Sequence, residues 1–183
     1  NADVLPASSY LPWEPLTRER AADIIVRVLQ HDAERTVPRL SPGCGKSALD
    51  GTTTVTVNGI ERSYLLTKPR RYVPHDPFPL IIAFHGRTNS NEQVRSYFKL
   101  DRAATDYFIA YPAALSNGNG AFSWSDPGDK SLELRDIALF DGMVKQLSER
   151  YCIDMDRIFV VGHSLGAWFA NSVACARGGI VRG

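Results

Sequence analysis

The chain has 183 residues, of which 44% are hydrophobic and 22% charged, and its formal net charge at pH 7 is +1. These values are typical of a globular protein long enough to bury one core, and they give no reason to expect nucleic acid or an anionic membrane as a partner. The longest apolar runs, such as residues 80–84, have the length of a strand and fall far short of the roughly 18 residues of a membrane span.

The first 40 residues predict an N-terminal arm followed by a helix. Residues 1–16 carry three prolines and read as an extended arm, and Thr17 is the predicted N-cap of an amphipathic helix that ends before Pro38. The apolar face of this helix favours packing on its own domain over binding a partner. Because the chain begins without a methionine, we expect that a leader was removed before residue 1. Residues 41–183 form the second predicted unit.

Strand and helix patterns alternate along this second unit. Two β-branched segments, residues 52–57 and 60–67, flank Asn58-Gly59, the strongest short signal for a hairpin. Buried strands and helices then follow, with strands predicted at 79–84, 107–111 and 157–161 and helices at 92–105, 131–151 and 165–176. This order predicts an α/β fold with a largely parallel sheet and helices on both faces. Residues 116–130 are predicted as a long loop, a length that usually accompanies a function.

The last predicted strand leads directly into Gly162-His163-Ser164-Leu165-Gly166. A strand, a sharp turn and a helix are the context in which G-x-S-x-G marks a nucleophilic serine. The turn lifts Ser164 Oγ above the sheet and aims the first amides of the helix at an oxyanion. The alternative is a glycine-rich turn without chemistry, which the flanking strand and helix disfavour. Ser164 is therefore the predicted catalytic nucleophile.

An oxyanion on an ester carbonyl needs backbone amide donors, and two places supply them. Leu165 N–H, directly after the nucleophile, is the first predicted donor. The second is expected in the loop after the strand that ends at residue 84, from Arg87 N–H or, as the alternative, Thr88 N–H. His85 is predicted to hold this loop by hydrogen bonding. Ligands bind beyond the carboxyl ends of parallel strands, where all these residues are expected.

A serine nucleophile also needs a histidine base oriented by a carboxylate, and in this architecture both follow the serine in the chain. His85 and His163 precede Ser164, so neither is predicted as the base. Residues 165–183 contain no Asp, Glu or His. We therefore expect the triad acid and base, with the remaining strands of the sheet, on a C-terminal segment beyond residue 183 or on a companion polypeptide of the same protein.

The chain has three cysteines, Cys44, Cys152 and Cys175. An odd number leaves at least one thiol free or paired outside this chain, and Cys152 with Cys175 could pair while Cys44 finds its partner elsewhere. No cysteine or histidine spacing is typical of a metal site, and no cofactor is expected.

An ordered set of segments resembles the secreted feruloyl esterases and polyhydroxybutyrate depolymerase-like proteins of the carbohydrate esterase family 1 group. The match spans about residues 41–183 and consists of Ser41-Pro42-Gly43-Cys44-Gly45-Lys46, the hairpin at 55–66, Phe84-His85-Gly86, the Trp124 loop, Asp136-Ile137-Ala138 with Phe140-Asp141, Tyr151-Cys152-Ile153-Asp154, Arg157-Ile158-Phe159-Val160 and Ala174-Cys175-Ala176-Arg177-Gly178. Where the family often has a second glycine after G-x-S-x-G, this chain has Ala167.

The resemblance implies the N-terminal part of an α/β-hydrolase domain with Ser164 as the nucleophile. It implies a disulfide between Cys152 and Cys175. It also implies that Trp124 and His85 are substrate-binding residues, with Trp124 at the border of the substrate cleft. An equally weighted interpretation is that Trp124 is a packed residue that anchors its loop.

Together these patterns predict a secreted serine esterase that cleaves feruloyl, aryl or acyl esters of plant polysaccharide, or a polyester, through an acyl-enzyme. Two other classes stay open. One is a catalytically inactive binding module, and the other is a lipase or thioesterase, because Gly162-His163-Ser164-Leu165-Gly166 is also a common lipase form.

Overall fold

The computed structural model describes residues 37–47, 53–116, 122–125, 131 and 133–182. The chain divides into two units, Asn1–Val37 and Pro38–Gly183, and nearly all described residues belong to the second. The predicted arm, residues 1–16, and the predicted helix after Thr17 lie outside the described residues, so the division at residue 40 stays a prediction.

Seven strands and four α-helices make up the described part of the second unit. The strands are β1 (Thr54–Val57), β2 (Ile60–Thr67), β3 (Phe78–Phe84), β4 (Phe108–Pro112), β5 (Leu115–Ser116), β6 (Phe122–Ser123) and β7 (Ile153–Gly162). The helices are α1 (Asn91–Phe98), α2 (Leu100–Ala103), α3 (Ala138–Arg150) and α4 (Leu165–Ala176), and a π-helix, Glu133–Ile137, precedes α3. None of these helices combines the length and the apolar character needed to cross a bilayer.

Five strands form one sheet in the order β1-β2-β4-β3-β7. The predicted hairpin is present, with β1 antiparallel to β2 and β2 antiparallel to β4. Strands β4 and β7 both pair with β3 in parallel, the arrangement expected from strands that alternate with crossover helices. The carboxyl ends of these three strands therefore meet at one rim of the sheet.

The helices cover both faces of this sheet, as predicted. Alternate residues of β3 point to opposite sides. Leu80, Ile82 and Phe84 belong to a large core with α3 and α4, whereas Ala83 belongs to a smaller core with Val94 of α1.

Two predicted helices differ from the observed elements. The helix predicted over 92–105 is broken at Lys99, whose φ of 51° separates α1 from α2. A residue with a left-handed backbone conformation ends a helix. The sequence has no glycine or proline at this position that would predict the break. The helix predicted over 131–151 begins with the π-helix Glu133–Ile137 and becomes regular only from Ala138. Part of the predicted long loop also forms the antiparallel pair β5–β6.

After α4 the chain returns to the sheet beside β7. Val181 forms a parallel bridge with Ile158, and Arg182 N–H donates to the Ile158 carbonyl at 2.9 Å. Val181 and Arg182 therefore lie beside β7 and run parallel to it.

The disulfide joins Cys44 to Cys152, and the predicted Cys152–Cys175 pair is wrong. Cys175 is a free thiol on the exposed side of α4. The turn that carries Cys44 packs against the chain after α3. Ser41 Oγ donates to the Tyr151 carbonyl at 2.7 Å, and Gly43 N–H donates to the Ser148 carbonyl at 2.7 Å.

A glycine makes this close packing possible. A Cβ on Gly43 would lie 2.4 Å from the Tyr151 carbonyl oxygen, closer than any side chain can approach. The turn therefore lies directly on the backbone next to Cys152, and Cys44 is the cysteine brought within bonding distance.

Candidate active site

Ser164 lies in the tight turn between β7 and α4. Its backbone has φ 52° and ψ −121°, a conformation that residues other than glycine rarely adopt. Its side chain is exposed and makes no capping hydrogen bond to α4. A strained serine between a strand and a helix is the geometry of a nucleophile elbow, in which the hydroxyl projects from the sheet.

The two flanking glycines let the turn close. A Cβ on Gly162 would lie 2.1 Å from the Gly166 carbonyl oxygen, and a Cβ on Gly166 would lie 2.4 Å from the carbonyl oxygens of Phe84 and His85. Both clashes are with backbone atoms, which cannot rotate away. Each glycine of the G-x-S-x-G motif is therefore required for its own contact. Gly162 lets the turn close on itself, and Gly166 lets α4 pack against the end of β3.

The loop after β3 runs beside this turn. His163 N–H donates to the Phe84 carbonyl at 3.2 Å, which extends the β3–β7 pairing to the residue before Ser164. The His163 imidazole Nδ1 would lie 2.8 Å from a Cβ on Gly86, and its ring makes an edge-on contact with Tyr97 at 5.4 Å. The structure thus brings the Gly86 loop and Ser164 to the same rim of the sheet, as the sequence predicts.

The two predicted alternatives for the second oxyanion donor differ in their surroundings. Thr88 N–H donates to the Phe122 carbonyl of β6 at 3.0 Å, and Thr88 has a φ of 65°. That amide is therefore already engaged in holding the loop to β6. This counts against Thr88 as the second donor, and Arg87, the residue directly after Gly86, stays the first predicted choice.

His85 is fully buried and binds backbone on two sides. Its Nε2 accepts from Ala114 N–H at 3.0 Å, and its Nδ1 lies 2.7 Å from the Gly86 carbonyl. An Nε2 that accepts and an Nδ1 that faces a carbonyl define a neutral ring with its proton on Nδ1. Burial lowers the pKa of His85, which also favours the neutral form. The predicted role in holding the loop fits this geometry, whereas contact with a substrate does not.

Trp124 lies in the interior and is 1% exposed. Its ring stacks on Phe169 of α4 at 4.9 Å, and its Nε1 donates to the His85 carbonyl at 2.8 Å. Of the two interpretations of Trp124, the packed loop anchor fits this burial. The other, in which Trp124 borders the substrate cleft, does not.

A buried ion pair behind the site was not predicted as functional. Arg62 of β2 and Asp136 of the π-helix are almost fully buried and lie 3.1 Å apart. Arg62 shares the inward face of β2 with buried Tyr64, and a charged residue on an inward face indicates a buried partner. That signal was present in the sequence. Among the residues that the structure describes, no group of three or more His, Cys, Asp or Glu residues could hold a metal ion.

Known proteins with similar sequences are esterases. The chain is 32% identical to a probable feruloyl esterase C of Aspergillus flavus over 148 residues, which are 75% of this chain and 49% of that protein. It is 26% identical to feruloyl esterase D of Neurospora crassa over 148 residues, which are 78% of this chain and 51% of that protein. It is 28% identical over 100 residues to poly(3-hydroxyalkanoate) depolymerase C of Paucimonas lemoignei, or 52% of this chain and 24% of that protein. No protein-family model matches the chain.

Solved structures with a similar fold include an esterase and a hydrolase. An acetyl xylan esterase from Aspergillus awamori matches with a TM-score of 0.55 and 19% identity, over 66% of this chain and 44% of that one. An S-formylglutathione hydrolase from Agrobacterium tumefaciens matches with a TM-score of 0.55 and 15% identity, over 74% and 58%. At these identities the likeness concerns the fold alone.

The chain spans about half the length of the feruloyl esterases it matches. The relatives confirm the resemblance predicted from the ordered motifs, and the sheet confirms the predicted fold class. Over about three quarters of its length the chain is homologous to feruloyl esterases C and D, over about half to a poly(3-hydroxyalkanoate) depolymerase, and its fold is that of an α/β-hydrolase.

Proposed function

We propose that this chain carries the nucleophile and the oxyanion hole of a secreted serine esterase that hydrolyses carboxylic esters through an acyl-enzyme. The observation that carries the proposal is the strained, exposed Ser164 at the start of α4, flanked by glycines whose replacement would clash with backbone. Strain of this kind persists only where the surrounding structure imposes it, and it clusters at catalytic sites.

In the first half of the reaction, Ser164 Oγ attacks the ester carbonyl carbon while a histidine base takes its proton. The carbonyl oxygen becomes an oxyanion, which accepts hydrogen bonds from Leu165 N–H and Arg87 N–H. The C–O bond to the alcohol then breaks, the histidine returns the proton to the leaving alcohol, and the acyl group stays on Ser164. Water, activated by the same histidine, hydrolyses this ester and regenerates the serine.

The acid and the base of the triad are assigned to a C-terminal segment outside residues 1–183 or to a companion polypeptide. Two facts support this assignment. Residues 165–183 contain no Asp, Glu or His, and the chain spans about half the length of its feruloyl esterase relatives.

The relatives named feruloyl esterase and poly(3-hydroxyalkanoate) depolymerase support the proposed substrate class. We assign to this protein feruloyl or other aryl or acyl esters of plant polysaccharide, or a polyester. The Cys44–Cys152 disulfide supports an oxidising, secreted location, because disulfides persist in such compartments.

Active-site labelling tests the nucleophile. A fluorophosphonate probe should modify Ser164 in the full-length protein and should not modify the Ser164→Ala variant. Ser172, which lies on the same helix with its hydroxyl bonded to the Trp168 carbonyl, supplies the control: Ser172→Ala should label as the wild type does. Labelling that persists in Ser164→Ala would remove Ser164 as the nucleophile.

Substrate choice is tested with the same protein. Methyl ferulate should be hydrolysed faster than p-nitrophenyl esters of long fatty acids, and a clear preference for long acyl chains would favour a lipase. A full-length protein that hydrolyses no ester and takes up no probe would indicate a binding module.

A further inference from the structure

The carboxylate of Asp136 is fully buried and accepts five hydrogen bonds. Oδ1 accepts from Arg62 at 3.1 Å. Oδ2 accepts from the backbone and the hydroxyl of Ser125, at 2.7 and 2.9 Å, and twice from the Arg135 guanidinium, at 3.0 and 2.7 Å. A carboxylate this deep in the protein is stable only because charged donors surround it.

The segment Phe122–Ser125 connects Asp136 to the loop after β3. At its far end, Ser125 is held by Asp136. At its near end, the Phe122 carbonyl accepts from Thr88 N–H at 3.0 Å. Between the two, Trp124 Nε1 donates to the His85 carbonyl at 2.8 Å.

A second contact ties the same segment to the π-helix. The Arg135 guanidinium donates to the Ser123 carbonyl at 3.2 Å as well as to Asp136. Arg62 also reaches beyond the ion pair and donates to the Ala113 carbonyl at 3.2 Å, next to Ala114, whose amide binds His85. Asp136 therefore organises both backbone stretches that hold the His85–Thr88 loop.

We propose that Asp136 is a positioning residue for the oxyanion hole, acting through residues 122–125 on the Gly86–Thr88 backbone. The proposal rests on the function proposed above. Asp136 touches no reacting atom. Its carboxylate fixes Ser125, Ser125 fixes the position of Trp124 and Phe122, and these two fix the loop that presents Arg87 N–H.

This role requires a carboxylate and not merely a polar side chain. An amide at position 136 has one oxygen, and its NH₂ group would face donors of Arg135 or Ser125. The buried donors left unpaired would pull residues 122–125 out of place. Because a donor of the oxyanion hole must lie close to the position that the developing charge will occupy, a small shift lowers the turnover rate more than it lowers substrate binding.

The test compares Asp136→Asn with Asp141→Asn in the full-length protein. Asp141 also pairs with an arginine, Arg177 of the segment after α4, and among the contacts of the described residues it has none with residues 85–88. In Asp136→Asn, kcat should fall about 10- to 100-fold with KM changed less than about twofold. The affinity for a boronic acid or trifluoromethyl ketone that mimics the tetrahedral intermediate should fall by the same factor. Asp141→Asn should change neither quantity.

Amide hydrogen exchange supplies a measurement that does not depend on turnover. Exchange of the peptide that covers residues 85–91 should be faster in Asp136→Asn and unchanged in Asp141→Asn. A wild-type protein without esterase activity would contradict the proposed function, while faster exchange in Asp136→Asn would still support the link from Asp136 to the loop.

Ser125→Ala is the milder second variant, because it removes one hydrogen bond and keeps the ion pairs. It should show a smaller loss of kcat with the same pattern. Unchanged exchange in both variants would overturn the proposal. So would a loss of kcat without a matching loss of affinity for the intermediate analogue, since that pattern marks a general loss of structure.

Discussion

Gly166 lies so close to the carbonyl group of Phe84 that no Cβ fits between them. A Cβ at position 166 would lie 2.4 Å from the Phe84 oxygen and 2.8 Å from its carbon. Gly166→Ala should therefore lower the free energy of unfolding by at least about 3 kcal/mol, since α4 would have to move off the end of β3.

Gly179 supplies the matched control, because a Cβ there would meet nothing within 4 Å. Gly179→Ala should change the stability by less than about 1 kcal/mol. Urea denaturation measures both variants, and equal midpoints for the two would contradict the close contact between Gly166 and Phe84.

Because the backbone of Ser164 has a positive φ, we expect that replacing it by glycine raises the free energy of unfolding. Ser164→Gly should relieve about 1–3 kcal/mol of backbone strain, against a loss of about 0.5–1 kcal/mol from the freedom of glycine in the unfolded chain, and so should stabilise the protein by about 1 kcal/mol. Ser164→Ala should leave the stability nearly unchanged, because alanine bears the same strain. Both variants should be inactive.

Ser172, inside α4, is the control for this effect. Ser172→Gly should be destabilising by about 0.5 kcal/mol, as glycine is in a helix interior. If glycine destabilises at both positions by the same amount, Ser164 is not strained.

The disulfide should contribute strongly to stability, because it closes a loop with a sequence separation of 108 residues. Replacing both Cys44 and Cys152 by alanine should cost about 2–4 kcal/mol of unfolding free energy. Cys175→Ala should cost little, since that thiol is exposed and free. Alkylation of the unreduced, unfolded protein should modify Cys175 alone, and a peptide in which Cys175 is bonded to Cys152 would contradict the structure.

The buried imidazole of His85 predicts a loss of stability at acidic pH. Burial lowers its pKa below the ordinary 6.5, so the unfolded chain binds a proton at this site before the folded chain does. Stability should therefore fall as the pH drops from 6.5 toward the lowered pKa of His85. A protonated ring would also lose the hydrogen bond from Ala114 N–H.

His85→Gln keeps a side-chain acceptor near Ala114 and removes the titrating group. Its unfolding free energy should depend less on pH below 6.5 than that of the wild type. Nitrogen chemical shifts of the wild-type ring should indicate the Nδ1–H form through the same range. A ring that is protonated in the folded protein at pH 6.5 would contradict this assignment.

The site could be predicted where its residues are close in sequence. The elbow around Ser164 is encoded by one continuous stretch, residues 157–176, because the strand, the glycines and the helix follow one another directly in the chain. The strands that place His85–Thr88 beside it were also predictable, since apolar runs and crossover helices leave few topologies.

Contacts between distant segments were less predictable. The choice of Cys44 over Cys175 depends on how a turn packs against Tyr151, and cysteine spacing carries no information about that contact. The burial of Trp124 depends on Phe169 and His85, which lie on different elements. The break at Lys99 was also missed, because no glycine or proline marks it in the sequence.

The Cys44–Cys152 bridge has a consequence for limited proteolysis. The proposed oxyanion loop, residues 85–88, and the segment that holds it, residues 122–125, both lie between the two bonded cysteines. A single protease cut anywhere from residue 45 to residue 151 would leave the two fragments covalently joined, and they would separate only after reduction. A cut between Cys152 and Ser164 would instead leave the proposed nucleophile on a fragment held only by non-covalent contacts. Non-reducing gels of the nicked protein should therefore show on which side of the bridge the cut was made.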